Sequence, residues 1–418
     1  MTDIGDYRGF FSEQSLTFLG GVPYVYHCHH YNLFHDQTID DAMGDVEGVK
    51  LRTKAASNAA REALLSLTRS SGSVTPVERL QLASALFSWM GHGNISLEVS
   101  EQGGIARSAA PHYGYSWKQK YGSKVKRSEP ADAFAAGFAA AATEVAFDLL
   151  PGSIASVETA CVATRDAECI FALTRVMPTG ARPQIREEQV RASVGTLEAG
   201  LDEARIAAIG AGLVDFMKGV RGDDRGLVQA FNVFVAAHFA SYYNETVYEA
   251  VHRIESTNPS SAPTVESLMR ESGQVCVFNT FGNILLSPEW EGLVGRLSGD
   301  PTDTISFGCA ISRGLGFGHW LVKEYEPHKR FVLRATSSYE PPYYLQRYGL
   351  SDRPRGYFLQ GSALAMMVLA ERVDFAARPE LTNDVYLNLF RGRVPYRVEQ
   401  TLCQTRGDTC SELVVTAI

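Results

Sequence analysis

Two segments of this chain end alike, and that repetition limits the folds open to it. SVETACVATRDAECIFAL carries Glu158, Cys161 and Cys169, and RVEQTLCQTRGDTCSELVV carries Glu399, Cys403 and Cys410. A glutamate followed by two spaced cysteines, found twice about 240 residues apart, points to an internal duplication. Residues 75–122 align without gaps to 302–349, pairing Thr75 with Thr302, Gly91-His92 with Gly318-His319 and WKQKYG with YLQRYG. The period is far too long for a solenoid, so two related domains are expected.

A chain of 418 residues holds two or three domains and an ample core. Its 45% hydrophobic and 21% charged residues are ordinary for a soluble globular protein. A net charge of −8 without a long basic run argues against nucleic-acid binding through phosphate neutralisation. The N-terminus MTDIGDYRGFF has no signal-peptide pattern, and the alanine-rich stretch 131–150 carries Thr143, Glu144 and Asp148. The stretch therefore reads as a buried helix, with no membrane partner expected. Seven cysteines without secretory context read as reduced thiols in a cytoplasm.

Along the chain, residues 22–32 (VPYVYHCHHYN) have the composition of a strand, and 38–70 of a helix. Thr75-Pro76-Val77-Glu78 is a capping box with proline at the first helical position, opening a helix to about Met90. A hairpin over 94–110, a helix near 131–149 and strands at 154–163 and 167–173 complete a first copy (1–177). The second part (178–418) contains a linker PTGARP (178–183) and a helical region at about 185–257, read as helices 185–220 and 226–255. The second copy follows at about 270–418, beginning with a strand at 274–283. Helices mixed with small antiparallel sheets give an α+β class, in two tandem copies that pair within the chain.

Cys161 and Cys169, spaced Cys-x7-Cys after a Val-Glu strand, together with SAAPHYGYSWKQKYG, Pro130 and Gly137, resemble the vinyl-reductase-type ligand-binding domain. That domain occurs in sensors of aromatic compounds and in bacteriochlorophyll synthesis. The resemblance covers roughly 75–173 and, less closely, 302–417. It implies a hydrophobic small-molecule pocket, pairing of domains into dimers (here within one chain or as a homodimer), and zinc held by three cysteines and a carboxylate. Cys161 and Cys169 match two of those cysteines, Asp132 stands at the third position, and Glu158 could supply the carboxylate, a set chemically compatible with zinc. The alternative is that both cysteines are small buried hydrophobes. The second copy, with Cys-x6-Cys and Gly356 upstream, is a poorer metal site.

The densest reactive cluster is His27-Cys28-His29-His30-Tyr31-Asn32. On a strand, Tyr24, Tyr26, Cys28, His30 and Asn32 would share one face, and His27 and His29 the other. The segment 278–283 aligns with it and lacks the Cys and His residues. Cys28 and His30 could serve as nucleophile and base, or as metal ligands, or simply pack. His112 in PHYGYSW could join the same site, with Tyr113 and Trp117 as aromatic walls. His238 falls among Phe231, Phe234, Val235 and Tyr242 on a predicted helix, as a core or pocket-lining residue.

Two functions follow. The first is a small-molecule enzyme (hydrolase, transferase or lyase) using Cys28, His30 and His112, with Tyr24, Tyr26, His27, His29, Asn32, Tyr113, Trp117 and His238 binding substrate. The alternative is a non-catalytic binder or sensor of an aromatic or hydrophobic molecule.

Overall fold

The computed structural model describes residues 3–122, 125, 127, 129–178, 201–392 and 394–418. Its first part runs β1 (Arg8–Phe11), β2 (Leu16–Leu19), β3 (Val22–Cys28), α1 (His29–Met43), α2 (Asp45–Ser71), α3 (Pro76–Trp89), β4 (Ser96–Ser100), β5 (Gly103–Ser108), α4 (His112–Tyr121), α5 (Ala133–Ala146), β6 (Ile154–Ala160) and β7 (Cys169–Arg175). The second runs α6 (Glu203–Gly219), β8 (Val228–Ala230), β9 (Val233–Phe239), α7 (Ala240–Thr257), α8 (Ala262–Cys276), α9 (Gly282–Leu285), α10 (Pro288–Val294) and α11 (Pro301–Gly314). It continues through β10 (Trp320–Glu326), β11 (Arg330–Ala335), α12 (Glu340–Tyr348), α13 (Tyr357–Arg372), α14 (Asn383–Phe390), β12 (Tyr396–Leu402) and β13 (Ser411–Ala417). The class is α+β with antiparallel sheets, as expected.

Two four-stranded sheets have the same order, β4-β5-β7-β6 and β10-β11-β13-β12. Each packs against one largely buried helix, α5 on the first and α13 on the second. On α5, Gly137 lies so close to α2 that a Cβ would sit 2.2 Å from the Thr53 carbonyl. On α13, a Cβ on Gly361 would sit 1.8 Å from the Arg270 carbonyl of α8. Small residues let these helix pairs touch backbone to backbone.

The third sheet, β1-β2-β3-β9-β8, joins the halves. Strands β3 and β9 pair antiparallel, with Tyr26 opposite Ala237 and Val25 opposite His238. Their outward contacts are reciprocal. Ala237 N–H donates to the Met90 carbonyl at 2.8 Å, and Tyr26 N–H donates to the Leu315 carbonyl at 3.2 Å. Gly91 (φ 82°) and Gly316 (φ 86°) follow those carbonyls. A Cβ on either would come within 2.7 Å of Val235 O or 2.9 Å of Tyr24 O, so glycine is required at both.

Several expectations change. The strand at 22–32 stops at Cys28, because Tyr31, His35 and Ile39 are buried at helical spacing and carry the chain into α1. Residues 274–283 form no strand. They continue α8 through a π turn (Val277–Phe281) into α9. The predicted helix 226–255 instead opens with β8 and β9, since a strand buried on both faces shows no alternation. Its neighbour begins as α6 at Glu203, and 179–200 lie outside the described residues. The element order β2-β3-α1 thus recurs as β8-β9-α7, upstream of the expected 270.

The gapless alignment slips by two residues ahead of β4 and β10. Thr75 and Asp300 cap α3 and α11, each before a proline. Phe317, flanked by two positive-φ glycines, therefore takes the place of His92, and His319 does not.

Candidate functional site

Strand register decides what meets at the centre. Both β3 and β9 are seven residues long and run directly into a helix, which places His27 and His238 at matching positions. Each side chain enters the opposite half. His238 lies against His92 (ring centroids 4.4 Å), Phe134 (4.6 Å) and Tyr113 (5.7 Å), and it stacks on Tyr242 (5.4 Å). His27 stacks on Tyr31 at 3.8 Å and meets Phe317 and Phe358 edge-on. In the first half His92 stacks on Phe134, and in the second Phe317 stacks on Phe358. The two aromatic boxes share one plan, but the first carries imidazoles where the second carries a phenyl ring at Phe317 and a phenol at Tyr339.

The first box is closed from water: His92, His112, Tyr113, Phe134, His238 and Tyr242 are at most 1% exposed. Burial holds His112 and His238 well below the usual histidine range and His92 down to about 3, so all three rings are neutral at pH 7. Their partners fix two tautomers. His92 Nε2 lies 2.9 Å from the Ala237 carbonyl, which can only accept, so Nε2 carries the proton and Nδ1 a bare lone pair. Tyr243 donates to Asn32 Oδ1 at 2.6 Å, which turns the Asn32 amide nitrogen towards His112 Nε2 at 2.9 Å. That nitrogen donates, so His112 Nε2 accepts and Nδ1 holds the proton. His238 Nε2 lies 3.2 Å from the Tyr113 hydroxyl. The Nδ1 atoms of His92, His112 and His238 are all buried without a partner among the described residues.

Beside the box, Arg52 is fully buried and donates to Asp36 at 2.5 Å and to both Asp40 oxygens at 2.8 and 2.7 Å. Tyr242 donates to Asp36 at 3.1 Å, tying this ion cluster to the ring that His238 stacks on.

The Cys28–His30 pairing does not assemble. Cys28 ends β3, and burial raises its thiol. His30 turns away on α1 against His29, with ring centroids 3.9 Å apart, and burial drives it to about 2. His29 Nδ1 instead accepts the Phe234 N–H at 3.3 Å. The thiol that meets an imidazole is Cys276, 3.3 Å from His27 Nδ1, with burial raising the thiol. Tyr24 and Tyr26 pack edge-on with each other, and Tyr24 with Trp89, outside the box. Trp117 lies under Arg127. Of the expected substrate-binding residues, Asn32, Tyr113 and His238 meet His112 at the first box, and His27 lines the second. Sequence alone paired His92 with His319, placed Tyr242 only on the face that carries His238, and gave no site role to Phe134, Tyr243 or Cys276. The glycines flanking His92 were the available signal.

Glu158, Cys161 and Cys169 converge, their ligand atoms all within 4.8 Å, the one such group among the described residues. The sulfurs are 3.7 Å apart, far beyond a disulfide. Two sulfurs on one tetrahedral zinc, each at about 2.3 Å, would lie about 3.8 Å apart. The N–H groups of Val162 and Ala163 donate to the sulfurs at 3.4 Å, a polarity suited to thiolate. The Cys169 S–H bonded to Cys161 lowers that thiol below the usual range, and Glu158 Oε1 is buried without a hydrogen-bond partner among the described residues. These three residues fit a zinc ion. Asp132 adjoins them: its N–H donates to Glu158 at 2.7 Å. Its own carboxylate caps α5 through Ala135 N and accepts Tyr113 N, and burial, then Glu158, raises it to about 8.

The second half lacks this donor set. Cys403 matches Cys161, each N–H bonded to an aspartate five residues on at 2.8 Å. Register pairs Ser411 with Ala335 as Cys169 pairs with Ser108, and Gln400 with Leu413 as Glu158 pairs with Phe171. Ser411 and buried Gln400 therefore stand for Cys169 and Glu158, while Glu399 points to solvent. The two Glu-Cys-Cys endings do not superpose.

No family model matches the sequence, and no curated protein sequence matches it. Among solved structures, the chain is similar to the phenol-responsive sensory domain of the transcription activator PoxR bound to phenol. The two share 13% identity at a TM-score of 0.34, over 41% of this chain and 86% of that domain. No helix among the described residues is long and apolar enough to cross a membrane.

Proposed function

We propose that the chain is a non-catalytic binder of a small aromatic molecule that carries a hydroxyl, held in the first box. The observation that carries this is the pair of buried nitrogens. His92 Nδ1 is an acceptor and His112 Nδ1–H a donor, in rings 5.7 Å apart, and neither has a partner among the described residues. Leaving such groups unpaired costs about 1–3 kcal/mol each. A hydroxyl donates and accepts, so it answers both, and Phe134, Tyr113 and Tyr242 offer faces to an aromatic ring. Neutral imidazoles avoid a buried charge. Entry requires the box to open, since its side chains are at most 1% exposed.

The reading of the two halves as copies of a vinyl-reductase-type domain paired within the chain is consistent with this. Reciprocal contacts across β3 and β9 support it. Zinc on Cys161, Cys169 and Glu158 would cross-link β6 and β7 beside the start of α5. Asp132 would pass that order to Tyr113 and so to His238. The enzyme reading has less support: no imidazole bonds the Cys28 thiol among the described residues, and its burial disfavours the thiolate.

Calorimetric titration with phenol, anisole and toluene tests the proposal. Phenol should bind once per chain, with anisole and toluene about tenfold weaker or more. Equal affinity for toluene would overturn it.

A further inference from the structure

The asymmetry at 29–30 has a second consequence, away from the first box. By the match of β3 with β9, His29 and His30 at the start of α1 correspond to Ala240 and Ser241 at the start of α7. In the first orientation the two imidazoles fill the space beside β9, against Phe234. In the second, alanine and serine leave a cavity of about 520 Å³ beside β3, between α2, α7 and α12.

Its wall is apolar where Leu16, Val22, Ala59 and Pro342 line it, and Tyr339 and Tyr343 add aromatic surface. Its charges are unevenly matched. Arg347 is committed to Glu249 at 3.0 Å. Glu245 is buried, and among the described residues its hydrogen bonds come from the uncharged amide of Asn58, at 2.8 and 3.1 Å, with no ion pair. Burial raises its carboxyl, while Lys54 and Arg347 act on it at longer range in the opposite sense. Glu62, more exposed on α2, also lines the cavity; partial desolvation raises its carboxyl, and no salt bridge to it forms among the described residues. Lys54 is the remaining cation, exposed at the rim. Ser241 Oγ is buried there without a partner among the described residues.

We propose that this cavity binds an organic amine. Its protonated nitrogen sits against Glu245 and Glu62, and its apolar body lies on the Leu16, Val22 and Ala59 surface beside the two tyrosines. A carboxylate without an ionic partner in a partly desolvated cleft favours a cation, and the faces of tyrosine rings add to that preference. Two carboxylates against one rim lysine disfavour an anion. This site is independent of the box that holds His92 and His112.

The test titrates 2-phenylethylamine, 2-phenylethanol and 3-phenylpropionate into the full chain by calorimetry. The amine should bind at least tenfold more tightly than the alcohol or the acid. Glu245→Gln should weaken the amine at least tenfold. Ala240→His with Ser241→His, which copies the filled side, should abolish its binding and leave phenol binding unchanged. If Glu245→Gln does not fold, Glu62→Gln, at an exposed position of α2, should still weaken the amine severalfold. Equal binding of 2-phenylethanol, no binding of the amine, or full binding by the double-histidine variant would overturn the proposal.

Discussion

Replacing His92 with phenylalanine gives the first box the side chain that Phe317 supplies to the second. At pH 7 the variant loses the bond from Nε2 to the Ala237 carbonyl, 2.9 Å long, and also removes the unpartnered Nδ1. The two changes oppose each other, each on the order of 1–2 kcal/mol, so the net effect is small. Acid separates them. His92 titrates at about 3 when folded, because burial penalises the imidazolium. In the unfolded chain it titrates near 6.5. Below 6.5 the unfolded state therefore binds more protons at this residue, and wild-type stability is lost as pH falls towards 3. Between pH 7 and pH 5 that loss is about 2 kcal/mol. Phenylalanine cannot titrate, so His92→Phe should gain about 2 kcal/mol relative to wild type over the same interval. The other titrating groups are common to both proteins, and His112 and His238, which touch His92, are held neutral in this range chiefly by burial. Urea unfolding at both pH values, with unchanged m, reads the difference. A stability difference equal at pH 7 and pH 5, or one that moves against the variant, would refute the reasoning.

Other outcomes follow from the same geometry. Zinc near one equivalent per chain should be lost in Cys161→Ser and kept in Cys403→Ser, by elemental analysis of the purified proteins, because the second half has Ser411 and Gln400 in place of two donors. Arg52→Ala should cost about 3–5 kcal/mol in urea unfolding, since it leaves Asp36 and Asp40 buried without a counter-charge. Cys28→Ala should keep phenol affinity within about twofold and lower stability by about 1 kcal/mol, the scale of a small buried group; loss of phenol binding in a folded variant would restore a direct role for this thiol.

Much of the fold was legible because local chemistry is explicit. Thr75 and Glu78 form the capping box read from the sequence. The alanine-rich run is the buried helix α5, and the strand pair around Cys161 lies where it was expected. The reading failed where burial erased periodicity. VFVAAHF is covered on both faces, so it lacks the alternation of a half-buried strand and merged into the helix after it. That error hid His238 as the partner of His27 and made the histidines at 27–30 seem unmatched. Spacing was misread too: Glu399 looked like the repeat of Glu158, yet it stands four residues before Cys403 where Glu158 stands three before Cys161, so Gln400 takes the inward place beside the same bulge. The zinc-compatible set was accessible because Cys161 and Cys169 flank a single turn. The first box was not, because His92 and His112 flank the β4–β5 hairpin and bond through the His112 N–H to the His92 carbonyl at 2.9 Å, while His238 is brought to them from the other half by the β3–β9 pairing.

The central claim is that His92 and His112 hold a ligand hydroxyl. Long-range nitrogen NMR on chain labelled with 15N-histidine, titrated with phenol, tests it most directly. The His92 Nδ1 resonance should shift as its lone pair accepts the hydroxyl, with His112 Nδ1–H shifting alongside and His27 left in place. Saturating phenol that moves His27, His29 or His30 while His92 and His112 stay unchanged would contradict the account.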